Sequence, residues 1–181
     1  MVLGNGDFSV GQGAGHVEAR QPISYSGQGF SLRGEKSRFV LPPQFRKTVR
    51  ESSFGHRTLC IAKHERWTCL TGFGLSRKDD LAAQIDREEM LSIQAGKDFD
   101  RDLRASQLYG FSEVPFDDSG RFVIPDHLLN LAGVDDSLFF QAAGGFFTLW
   151  NPAELAKLGA GWEGAQAACA NFVADAVKGR K

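Results

Sequence analysis

The chain has 181 residues, 42% of them hydrophobic and 24% charged, with a net charge of −1. That balance fits a globular protein of one domain or two small ones, with enough apolar residues for a real core. No run of 18 or more apolar residues argues for a membrane span, and three cysteines without framework spacing (Cys60, Cys69, Cys169) fit a reducing cytoplasm better than a disulfide-stapled scaffold.

The opening "MVLGNGDFSVGQGAGHVEARQP" has no basic n-region and no apolar h-region, so no secretory signal is expected. Residues 1–24 are Gly-rich and aperiodic and read as a flexible tail. The stretch "GNGDFSVGQGAG" has no lysine after its glycines and no strand before them, which leaves the phosphate-loop reading behind.

"RFVLP" alternates, placing Phe39 and Leu41 on one face and Arg38 and Val40 on the other, as in a half-buried strand. Pro42 and Pro43 stop the ladder, and proline suits the first helical position, so "PQFRKTVRES" reads as a short helix. "TLCIA" and "RWTCL" then read as strands around "KHE". "SRKDDLAAQIDREEML" places Leu81 and Ile85 at helical spacing, with Ser76 and Asp79 as cap residues, and "FDRDLRASQLYG" continues as a second helix.

The first signals then return. "RFVIP" leads into "DHLLNLAG", a two-turn helix closed by Gly133. "SLFFQAA" and "FFTLW" flank Gly144 and Gly145, a hairpin signal. "NPAE" has the form of a capping box with proline at the first helical position. "WEGAQAACANFVADAVKGRK" aligns Trp162, Ala165, Cys169, Phe172 and Ala176 as one stripe, with Lys178, Arg180 and Lys181 at the C-terminal end. This helix is expected to pack on a neighbouring element or another subunit.

Arg38 and Arg121 lie 83 positions apart, as do Pro42 and Pro125. A unit of about 45 residues cannot bury a core alone, but two can close on each other. The expected organisation is a tail (1–24), a first repeat (25–74), a helical connector (75–108), a second repeat (109–157) and a C-terminal helix or tail (158–181).

Charge is unevenly spread. Residues 31–66 carry nine basic and three acidic side chains, whereas residues 79–118 carry four and eleven. Such asymmetry gives one face an attraction for a polyanion, unless the charges are simply scattered over solvated surfaces.

The stretch "DDSGRFVIPDHLLNLAGVDDSLFFQAAGGFFTLWNP" resembles the second repeat of the MraZ family of bacterial transcriptional regulators. Asp117, Gly120, Arg121, Pro125, Gly133 and Trp150 fall on that family's pattern. "GEKSRFVLPPQFR" resembles the first repeat through Lys36, Arg38, Pro42, Phe45 and Arg46. It departs where Gly34 stands for an aspartate and Ser37 for a glycine. The resemblance covers about residues 25–157 and nothing is carried beyond it.

It implies a mainly β fold with helices (α+β): two AbrB-like swapped-hairpin repeats forming a pseudo-symmetric double-psi-type β-barrel, with connecting and C-terminal helices. It implies a cytoplasmic, nucleoid-associated regulator without cofactor or small-molecule substrate. As a ring-shaped homo-oligomer, this would bind short direct repeats in double-stranded promoter DNA of a cell-division and cell-wall gene cluster, as an autorepressor. Asp117 would orient Arg121 by a carboxylate–guanidinium contact, which Arg38 would lack unless Glu35 substitutes.

A guanidinium fork suits guanine edges or phosphates, and Arg33, Lys36, Arg46 and Lys47 around Arg38 would add phosphate contacts. By charge, the first copy faces DNA and the second mainly builds the barrel, so Arg121 is either structural or a DNA contact. The rival readings are a barrel used only as an interaction module and a small barrel enzyme. Scattered histidines give no catalytic triad, and His56, Cys60, His64 and Cys69 lack zinc spacing. The acidic run at 98–102 lacks the glycine and final glutamate of a calcium loop.

Overall fold

The computed structural model describes residues 23–179. Most of the stretch read as a tail, with its glycine-rich loop, and the terminal Arg180 and Lys181 lie outside the described residues. The first half runs β1 (Gln28–Leu32), a 3-10 turn at Glu35–Ser37, β2 (Arg38–Val40), α1 (Pro43–Ser52), β3 (Thr58–Lys63) and β4 (Leu70–Phe73). Two helices follow, α2 (Lys78–Gln94) and α3 (Arg101–Tyr109). The second half repeats the order with β5 (Ser112–Pro115), β6 (Arg121–Val123), α4 (Asp126–Leu131), β7 (Ser137–Ala142) and β8 (Phe147–Trp150), and α5 (Pro152–Leu155) and α6 (Glu163–Lys178) close the chain.

Strands are exchanged between the halves. One antiparallel sheet has the order β1-β7-β8-β4-β3-β5, and β2 pairs with β6 as a separate ribbon. Each opening strand therefore joins the other half's hairpin: β1 pairs with β7, and β5 with β3. The order is unchanged when the halves are swapped. Phe39 opposite Phe122 and Thr71 opposite Thr148 mark where an approximate two-fold axis crosses. The fold is α+β, as expected, with eight antiparallel strands and six α-helices among the described residues. Among the described residues, the ladder hydrogen bonds are divided between sheet and ribbon and do not run round one closed cylinder.

Alternation in "RFV" does what period two demands: Phe39 and Phe122 are buried, while Val40 and Val123 are exposed. Helix α1 starts at Pro43 and buries Phe45, Val49 and Ser52 at i, i+4 and i+7. Helix α4 ends in a left-handed Gly133 (φ +59°), where Val134 N donates to Leu129 O and Gly133 N to Asn130 O. Those two bonds satisfy carbonyls that a helix end leaves open. The main core gathers these residues with Leu59, Ile61, Leu70, Ile124, Leu138, Phe140, Phe147 and Leu149.

A second core lies under α6. Cys69, Phe139, Trp150, Leu155 and Cys169 are buried there, with Phe30, Trp67, Trp162 and Phe172 packed against them. The Phe172 ring sits 6.2 Å from Phe30 and 6.1 Å from Phe139, so α6 packs on its own chain. Its buried side includes Trp162, Ala165, Cys169 and Phe172, with Ala168 and Val173 joining where the stripe had Ala176.

Several local expectations are corrected. Ser76 and Asp79 do not cap α2: Ser76 lies inside a 3-10 turn at Leu75–Arg77, Asp79 in the first helical turn, and no side-chain cap bond forms. The strand expected at "RWTCL" begins only at Leu70, because residues 64–69 form a loop whose backbone bonds to His64 Nδ1 and Lys63 Nζ. The "NPAE" box is half made. Asn151 Oδ1 accepts from Ala153 N at 3.0 Å, but Glu154 turns to Lys157. Helices α2 and α3 form an antiparallel hairpin bound by Arg101 to Asp86 and Glu89 and by Arg104 to Glu88. The Arg104 hydrogen bond holds the Glu88 carboxyl below its ordinary value.

Candidate nucleic-acid interface

The ribbon's outer face is small and unusual. Cross-strand partners are Arg38 with Val123 and Val40 with Arg121, flanking the Phe39 and Phe122 pair. Since both phenylalanines point into the core, both arginines and both valines stand on the opposite face. The two exchanged halves thus bring Arg38 and Arg121 together, and they line one shallow cleft of about 380 Å³ with Phe116, Asp117 and Val123. The second copy contributes to this surface as well as building the sheet.

Arg121 is held by its own loop. Its Nε donates to Asp117 Oδ2 at 2.7 Å, and the backbone N–H groups of Arg121 and Ser119 donate to Asp117 Oδ1 at 2.9 Å each. Gly120 makes this turn possible at φ +83°; a Cβ there would meet Leu41 O at 2.9 Å. The side chain stays half exposed (51%), and only its Nε is engaged, which leaves Nη1 and Nη2 without a hydrogen-bond partner among the described residues.

The Arg121 N–H, reinforced by the guanidinium, holds the Asp117 carboxyl below its ordinary value of 3.8. A depressed carboxyl pKa supports the contact above that value and loses it as pH falls through the lowered one. Carboxyl NMR is expected to show Asp117 titrating below 3.8, and Arg121→Gln to move it upward. Titration at or above the ordinary value in the wild type would mean that the contact is not held in solution.

The first copy keeps the backbone of this loop and loses the anchor. Gly34 N donates to Arg38 O at 2.7 Å, as Asp117 N does to Arg121 O at 3.0 Å. Gly34 has no carboxylate to offer, and Glu35 makes no ion pair with Arg38. Lys36 (φ +54°) and Ser37 (φ +57°) occupy left-handed backbone where the second copy has Ser119 and Gly120. Each costs about 1 kcal/mol relative to glycine. Among the described residues Arg38 has no carboxylate partner.

The other basic residues divide into groups. Arg46, Lys47, Arg50 and Arg57 line a groove of about 680 Å³ that also includes Phe116 and Asp118. It joins the ribbon cleft through Phe116 and Asp117. Arg46 Nη1 donates to Asp118 O at 3.2 Å, and Arg57 pairs with Asp118 at 2.9 Å. Arg33 lies on the other half's α4–β7 connection, donating to Asp135 O at 3.3 Å, and Lys36 is exposed beside it. Lys63 and Arg66 sit at the far end of β3, about 17 Å along the strand, where Lys63 binds backbone carbonyls and Arg66 lies 5.5 Å from the Trp67 ring. The expected single basic field is therefore interrupted by acids from the second copy. Pro42 is buried at the start of α1 and Pro125 stands in the same place before α4.

The three thiols and His64 have structural surroundings. Burial pushes Cys60 and Cys69 up to about 12 and Cys169 to about 11. His64 Nδ1 accepts from the Arg66 and Trp67 N–H groups, and burial lowers its pKa. Among the described residues, no three His, Cys, Asp or Glu side chains gather as a metal site, and no helix is long and apolar enough to cross a membrane.

No family model matches the chain. It is 30% identical over 134 residues to the transcriptional regulator MraZ of Parvibaculum lavamentivorans, covering 74% of this chain and 79% of the relative. It is 28% identical over 125 residues to that of Rhodospirillum rubrum (66% and 74%), and 33% identical over 116 residues to that of Caulobacter vibrioides (64% and 69%). The exchanged α+β fold and its arginine-bearing ribbon thus go with transcriptional regulators, not with enzymes. Within that class the chain belongs to the MraZ family.

Proposed function

We propose that this regulator binds double-stranded DNA through the outer face of the β2–β6 ribbon. The observation that carries this reading is the arginine pair: two guanidinium groups share one exposed face, and one has no carboxylate partner among the described residues. Arg46 and Lys47 in the adjoining groove, with Arg33 and Lys36 on the connection that leads into β2, supply phosphate contacts that fix register. Two arginines make few contacts, so one protomer grips weakly. A ring-shaped homo-oligomer facing short direct repeats gains by effective concentration. The target is promoter DNA of a cell-division and cell-wall gene cluster, with autorepression as the outcome, in the cytoplasm at the nucleoid. No cofactor or small-molecule substrate is required.

The test is an anisotropy titration against duplex DNA from just upstream of the protein's own gene, repeated at several salt concentrations, with light scattering to give the mass. The logarithm of affinity is expected to fall linearly with log salt, by about 0.9 in slope for each phosphate neutralised, and the mass to be a multiple of the monomer. A slope near zero, or a monomer indifferent to DNA, overturns the reading.

A further inference from the structure

The geometry points to different tasks for the two ribbon arginines: Arg121 reads a base pair, and Arg38 holds only phosphate. This rests on the DNA-binding reading above. A bidentate contact to a guanine edge needs a guanidinium whose plane is fixed before docking, because mobility that must be frozen subtracts from the discrimination gained. Arg121 meets that condition. Its Nε is committed to Asp117 Oδ2, and Asp117 is itself fixed by the Arg121 and Ser119 N–H groups, so the plane is set and the outer nitrogens remain for a ligand.

Arg38 does not meet it. The position that would carry the orienting carboxylate is Gly34, although the backbone bond that defines the loop is retained at 2.7 Å. The side chain is charged and partly exposed, with no hydrogen-bond acceptor among the described residues to fix its plane. A phosphate tolerates that freedom, since a point-like anion with several acceptor oxygens accepts a donor from many directions. The two copies thus pair one rigid reader with one adaptable holder across the ribbon's approximate two-fold axis. The excess of basic residues along 31–66, which suggests that Arg38 is the principal contact, measures attraction and not discrimination.

Two variants separate the tasks on the full chain, using the upstream duplex of the previous titration and a panel carrying each single base-pair replacement. Arg121→Lys keeps the charge and removes the fork. It is expected to keep the salt slope and lose discrimination at one base pair, worth about 5- to 150-fold in the wild type. Arg38→Gln is expected to weaken every duplex by the same factor, about tenfold, and to lower the salt slope by about 0.9 per protomer while the discrimination profile is kept.

Adding the missing anchor as Gly34→Asp with Ser37→Gly is expected to make a second base pair discriminating. Melting temperatures of all variants check that each is folded. Loss of a base preference in Arg38→Gln, an intact profile in a folded Arg121→Lys, or an unchanged profile in a folded Gly34→Asp, Ser37→Gly double variant overturns the assignment. A wild type that binds DNA without any base preference also overturns it while leaving the DNA-binding reading standing. A wild type that binds no DNA removes both.

Discussion

Replacing Phe122 by alanine is expected to lower the unfolding free energy by about 3–5 kcal/mol and to disorder the ribbon that presents the arginines. Phe122 is 2% exposed, and its ring lies 6.3 Å from that of Phe39, which is fully buried. The two rings stand opposite each other where the exchanged halves meet. Removing one loses its burial and leaves a cavity that a three-residue strand, held mainly by its partner, closes poorly. Phe39→Ala is expected to cost a similar amount. The double variant is expected to cost less than the sum, because both remove the same contact. Val123→Ala, on the outer face at 47% exposure, is the control and is expected to change stability by no more than about 0.5 kcal/mol. Denaturant melts of the four variants check this. Full additivity would mean that the rings are held by separate parts of the core.

The twin "RFV-P" stretches were legible because their signals are local. Alternation sets which side chains enter the core, and the following proline ends the strand and opens the helix. The same holds for Gly133, whose left-handed conformation closes α4, and for Leu81 and Ile85 on α2. The exchange was harder to read. Strand β1 ("QGFSL") buries its small residues Gly29 and Ser31 and leaves Phe30 and Leu32 half-buried, and β5 ("SEVP") is short and ends on a proline, so neither announces itself. Each exists because a distant hairpin offers an edge, β7 for one and β3 for the other.

The site shows the same division. The contact of Asp117 with Arg121 lies four residues apart and is visible in the sequence, as is its absence at Gly34. The meeting of Arg38 with Arg121 on one face depends on the pairing of β2 with β6, 83 positions apart, and only the repeat hints at it. The basic count of residues 31–66 misleads for a related reason. Charge summed along the chain ignores the acids that folding brings in from elsewhere, here Asp118 beside Arg46 and Arg57.

Trp150→Ala is expected to destabilise the protein by about 3–5 kcal/mol and, unlike Phe122→Ala, to release α6. Trp150 is fully buried and bridges the sheet to the C-terminal region. Its Nε1 donates to Thr148 Oγ1 at 2.8 Å, and its ring lies 5.4 Å from Trp162 and 6.1 Å from Trp67. Helix α6 has few other deep attachments: of its own residues only Cys169 is fully in the core, and the rest of its packed side is half-buried. Taking away the indole removes the platform on which Trp162 is seated and leaves the Thr148 hydroxyl without its buried donor. Hydrogen exchange is expected to show α6 losing protection well before the sheet, with the emission of Trp67 and Trp162 shifting to the red. Val177→Ala, on the outer side of α6 at 58% exposure, is expected to leave both signals where they are. If α6 in Trp150→Ala kept its protection relative to β7 and β8, the helix would be held by Phe30 and Phe172 instead, and Trp150 would be a core residue of the sheet alone.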